Sequence, residues 1–166
     1  MNNRTTAALH LGAAYVAAFD LGVPVAQVTV RPCNRALGFV QVGPDRHPVL
    51  RALGFVQLGP DRHPVLTLSE LEARLKVAVA SFVGEDMFIG ARSTSSCTDM
   101  ERAQRIAEQM RECGDTREAQ DIIKAAMDSV RVTLAANERN VHRIAEALVR
   151  EGTLNAHELQ QVIGGE

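Results

Sequence analysis

A mainly α fold with a small β element is predicted for this chain, on three observations. Downstream of residue 66 the apolar residues recur at spacings of three and four, as on helices with one buried face. Starts with the reciprocal pattern of a capping box stand at Thr67 with Glu70, Thr98 with Glu101, Asp115 with Glu118, and Asn155 with Glu158. The β-branched alternation typical of strands is confined to the stretch from about Val25 to Leu66. With 166 residues, 46% of them hydrophobic and 23% charged, the chain is expected to form a single domain over 1–166.

The first element is the apolar run AALHLGAAYVAAFDLG behind Arg4. It imitates a short signal peptide, but His10 and Asp20 interrupt it and it is too short to span a bilayer, so a buried helix without membrane insertion is expected. VAQVTVRP, 25–32, reads as a strand ending at Pro32. Then comes a tandem duplication: RALGFVQVGPDRHPVL at 35–50 is followed by RALGFVQLGPDRHPVL at 51–66, and the copies differ only at Val42 and Leu58. Two short copies are too few for a stacked repeat, so the second is expected to add one strand or to protrude as a loop.

Helices are expected over LSELEARLKVAVASFVGEDMF, over DMERAQRIAEQMREC, over a long segment from Thr116 that breaks near Asn137 to Asn140, and over AHELQQVI. In the long segment, Arg139, Arg143, Arg150 and Glu151 read as a solvated face.

Charge and composition exclude whole classes of partner. Eighteen Lys and Arg against 20 Asp and Glu leave a net charge of -2, with no basic footprint for nucleic acid or an anionic membrane. No Trp, one Tyr and five Phe make stacking platforms for single strands scarce. Cys33, Cys97 and Cys113 are odd in number and form no C-x-x-C pair, which fits reduced thiols in a cytoplasmic protein.

The order of the pieces carries a family resemblance. A buried Ala-rich helix containing His10 is followed by VTVRP, NRALGF, SELEARLKVAVA, GARSTSSCTDMERAQRIAEQM and EALVREGTLNAHEL. This order resembles the zinc peptidase domain of the FtsH family of ATP-dependent proteases, over most of the chain. The resemblance implies a zinc site built from H-E-x-x-H on the first helix and an Asp on a later one. Residues at i and i+4 share a helix face, so two imidazoles reach one metal while the adjacent Glu takes a proton from its bound water.

Carried onto this chain, the first His is His10 and the Asp is Asp99. The general-base position holds Leu11 and the second His position holds Ala14, and neither can do the family's chemistry. The stretch between Cys113 and Thr116 is also short, which implies a truncated cleft, and no Gly-x4-Gly-Lys-Ser/Thr loop occurs, so no ATP site is expected in this chain.

The expectation is therefore a peptidase-like domain without catalysis, acting as a binding or regulatory module on a protein partner or on itself. It is expected to need no cofactor, zinc being the one that the resemblance implies. The alternative is an active zinc metallohydrolase with an irregular site of His10, Asp99 and Cys97. Each has a plainer role: His10 as a core histidine, Asp99 as a carboxylate complementing a helix start, Cys97 as a small buried thiol. His47 and His63 recur through duplication alone, and His142 and His157 carry no assigned chemistry.

Overall fold

The computed structural model describes residues 3–23, 25–31, 39–42 and 66–165. Apart from 39–42 and Leu66, the duplication lies outside the described residues, as do His47, His63 and Cys33. The predicted class holds: the described residues form six helices and a small antiparallel sheet.

The first helix, α1 (Asn3–Asp20), is buried on nearly every side from Ala8 to Ala18. It can be so because it lies between α2 (Leu68–Phe88) and α5 (Glu138–Glu151), and glycines let the backbones close in. A Cβ on Gly84 of α2 would stand 2.4 Å from the Ala13 Cβ, and one on Gly12 would stand 3.0 Å from the Val141 carbonyl oxygen. Helix α2 also carries α3 (Thr94–Glu112) and α4 (Ala119–Ala136) against its flanks.

Two of the capping boxes form as expected. Thr67 accepts from the Glu70 amide while the Glu70 carboxylate accepts from the Thr67 amide, and Asn155 and Glu158 repeat the arrangement at α6 (Ala156–Gly164). The other two do not start helices. Helix α3 begins at Thr94, one turn before Thr98, which places Thr98 and Asp99 inside it. Asp115 is instead gripped by Arg117, through its amide at 3.0 Å and its guanidinium at 2.6 and 3.0 Å, and α4 starts behind Glu118 with no side-chain cap. The break in the long segment falls at Asn137, as expected.

The β element is small, as predicted, but not confined to the predicted stretch. Strand β1 (Val25–Thr29) pairs with β2 (Phe39–Val42) on one side and with β3 (Thr153–Asn155) on the other, both antiparallel, in the order β2-β1-β3. β3 lies far outside the stretch from Val25 to Leu66. Three residues are too few for a period-two signal, and the strand exists because Gly152 turns the chain out of α5 at φ 81°. Its carbonyl then accepts from the Val30 amide at 2.9 Å and from Thr29 Oγ1 at 3.1 Å, aligning β3 with β1. Among the described residues no helix is long and apolar enough to cross a membrane.

Candidate functional site

The side chains with chemistry meet where α1, α2 and α3 converge. On α2, Leu71, Leu75, Ala78, Ser81 and Glu85 recur at three and four and are all buried, so the stripe that packs inward ends in two polar residues. Glu85 is 0% exposed, and a carboxylate taken out of water needs partners on its oxygens. It has them: His10 Nδ1 lies 2.8 Å from Oε1, Ser93 Oγ donates to Oε1 at 2.6 Å, and the Ser93 amide donates to Oε2 at 2.8 Å. Ser93 comes from the connection between α2 and α3, so this carboxylate sets how that connection enters α3.

The other ring nitrogen faces Asp99. His10 Nε2 stands 3.4 Å from Asp99 Oδ2, and that oxygen also accepts from Ser81 Oγ at 2.6 Å. The imidazole is thus held between two carboxylates, one on each nitrogen. Burial by itself would lower the affinity of the ring for its second proton. The hydrogen bonds to Asp99 and Glu85, with the charges of both carboxylates, together outweigh it and push the His10 pKa up to about 9. The two carboxylates thus favour the charged form of the ring.

The structure places His10 and Asp99 side by side and treats their neighbours differently. Leu11 and Ala14 are 6% and 5% exposed and belong to the hydrophobic core. Cys97 is exposed, not the buried thiol expected of it, and is unpaired in any disulfide, as is Cys113. Among the described residues, no three His, Cys, Asp or Glu side chains are placed to hold one metal ion. Asp99 does not complement a helix start, since α3 begins a turn earlier; its carboxylate serves Ser81 and His10. His142 is exposed, its ring edge-on to Phe88 at 5.4 Å. Arg139, Arg150 and Glu151 are solvated, while Arg143 is half-buried.

Glu85, Ser81 and Ser93 were not singled out by the sequence. One signal could have found two of them. Polar residues at 81 and 85 continue the apolar spacing of Leu71, Leu75 and Ala78, so a helix burying that face must bury them too.

As a zinc centre the arrangement is short of donors. Catalytic zinc takes three protein ligands, whereas here the position one turn beyond His10 is the methyl of Ala14. Among the described residues, the side chains in place do not fit a catalytic metal.

No protein-family model matches the chain. It is 34% identical over 108 residues to the ATP-dependent zinc metalloprotease FtsH 2 of Symbiobacterium thermophilum, covering 64% of this chain and 16% of that protein. It is 26% identical over an aligned length of 192 residues to the mitochondrial inner membrane i-AAA protease supercomplex subunit YME1 of Saccharomyces cerevisiae, covering 98% of this chain and 24% of that one. The chain therefore spans 16% and 24% of the lengths of these two curated relatives, and within that span it is a weak homologue of the AAA metalloproteases FtsH and YME1.

Proposed function

We propose that this chain is an FtsH-type metallopeptidase-like domain that does not cleave peptides and acts by binding, as a regulatory module for a protein partner or for a second copy of itself. One observation carries the reading: Leu11 and Ala14, buried in the core of α1, stand where a general base and a second metal-binding His are needed beside His10. Losing general-base catalysis alone lowers a rate by roughly two to four orders of magnitude, before the missing ligand is counted. The odd cysteine count and the free Cys97 and Cys113 support a reducing compartment such as the cytoplasm.

A zinc hydrolase with an irregular site is the second reading. Its support is the 3.4 Å between His10 Nε2 and Asp99 Oδ2, close to the roughly 3.4 Å that two ligands at about 2.1 Å keep around a tetrahedral zinc. Hydrolysis of fluorescent casein by the full chain, with and without added zinc, decides between them. No cleavage is expected in either condition. Zinc-dependent cleavage that is lost in Cys97→Ser would establish the second reading and defeat the first.

A further inference from the structure

We propose that the centre is a metal-free ionic tie, in which Glu85 and Asp99 hold the two nitrogens of the His10 ring directly and so join α1 to α2 and α3 with no zinc between them. The inference rests on the reading of the domain as a non-cleaving relative, and says what the retained residues do now.

The argument starts from Glu85. A fully buried carboxylate on α2 must face donors, and a neutral core histidine would offer it one hydrogen bond and no charge. Here Nδ1 comes to 2.8 Å, while the opposite nitrogen faces a second carboxylate at 3.4 Å. Each ring nitrogen thus already faces a carboxylate oxygen. A zinc-bound histidine also gives one nitrogen to a carboxylate, so the Glu85 contact alone does not distinguish the cases.

The Asp99 side distinguishes them. Its Oδ2 already takes the Ser81 hydroxyl at 2.6 Å, and a metal at that oxygen would compete with this bond. Among the described residues no third donor stands ready to compensate: Ala14 is a methyl in the core and Cys97 is exposed. Every bond of the tie crosses between elements: α1 to α2 through Glu85, α1 to α3 through Asp99, and α2 to α3 through Ser81 and Asp99. Ser93 adds the α2–α3 connection to the same carboxylate.

The test uses the full chain purified without metal-affinity resin, stripped with EDTA and titrated with zinc chloride. Zinc content is read by plasma mass spectrometry and stability by thermal melting. We expect no stoichiometric zinc, and a melting temperature that agrees within about 1 °C with EDTA and with about 100 μM zinc. A site of micromolar affinity would raise it by about 5–10 °C under those conditions. In EDTA throughout, His10→Gln and Asp99→Asn are each expected to melt about 5–15 °C below the parent, because each strips a partly buried partner from the cluster.

One zinc per chain, lost in His10→Gln, would overturn the inference, as would either variant melting like the parent. The wild-type titration decides even if a variant does not fold. Casein cleavage would defeat the functional reading, whereas zinc uptake without cleavage would defeat this inference alone.

Discussion

Gly84→Ala probes the packing that brings the cluster together. The added methyl would sit 2.4 Å from the Ala13 Cβ, whereas carbon atoms in good contact stand about 3.5–4.0 Å apart, so α1 and α2 must part by about 1 Å or more. On its other side α1 cannot retreat freely, since a Cβ at Gly12 would already be 3.0 Å from the Val141 carbonyl oxygen of α5. Overpacking of this kind costs about 1–3 kcal/mol, and the confinement of α1 places Gly84→Ala near the upper end. The displacement also falls next to Glu85, whose bond to His10 spans the same pair of helices.

Urea unfolding at equilibrium, followed by far-UV circular dichroism, measures the loss. We expect about 2–3 kcal/mol. Ala13→Gly in the same chain removes the opposing methyl, so a double-mutant cycle is expected to return a coupling of about 1–2 kcal/mol even though glycine within α1 itself costs about 1 kcal/mol. A loss for Gly84→Ala below about 0.5 kcal/mol, or a cycle with no coupling, would refute the close approach as the cause.

Other perturbations test separate parts of the structure. The His10 pKa is raised from 6.5 to about 9, so its contribution is fully present below pH 6.5 and is lost as the pH rises through 9. Equilibrium unfolding between pH 6 and 10 is expected to lose up to about 3 kcal/mol from this group, and the loss should vanish in His10→Gln. Asn155→Ala removes the cap that accepts from the His157 and Glu158 amides at 3.0 and 3.1 Å, and is expected to cost about 1 kcal/mol by urea unfolding. Gly152→Ala forces a Cβ onto a residue at φ 81° and to 3.2 Å from Arg31 Nε, and a loss of about 1–2 kcal/mol is expected. A loss there no larger than at an exposed position on the same helix would mean that the left-handed turn into β3 carries no strain.

Much of the helical framework was legible because its causes are local. The boxes at Thr67 and Asn155 formed, and the polar interruption after Ala136 ended α4 where it was expected to. The misplaced starts failed for an equally local reason in one case: Asp115 has Arg117 two residues on, and the guanidinium and amide took the carboxylate before any helix N–H could. At α3 the helix runs back to Thr94, past Thr98. β3 could not be read at all, since three residues carry no period and the strand depends on register with Thr29 and Val28 more than a hundred positions earlier.

The same division runs through the site. By itself the sequence led to the expectation of a retained pair, His10 and Asp99, with Leu11 and Ala14 in place of a base and a ligand. It could not say what the pair would meet. Glu85 lies 75 positions from His10, and Ser81 lies 18 from Asp99. Only the crossing of α1 over α2, permitted by the bare hydrogen of Gly84 opposite Ala13, brings these groups within bonding distance. Burial then makes the contacts obligatory, because a carboxylate sealed from water at the centre of three helices must find its donors on the neighbouring ones.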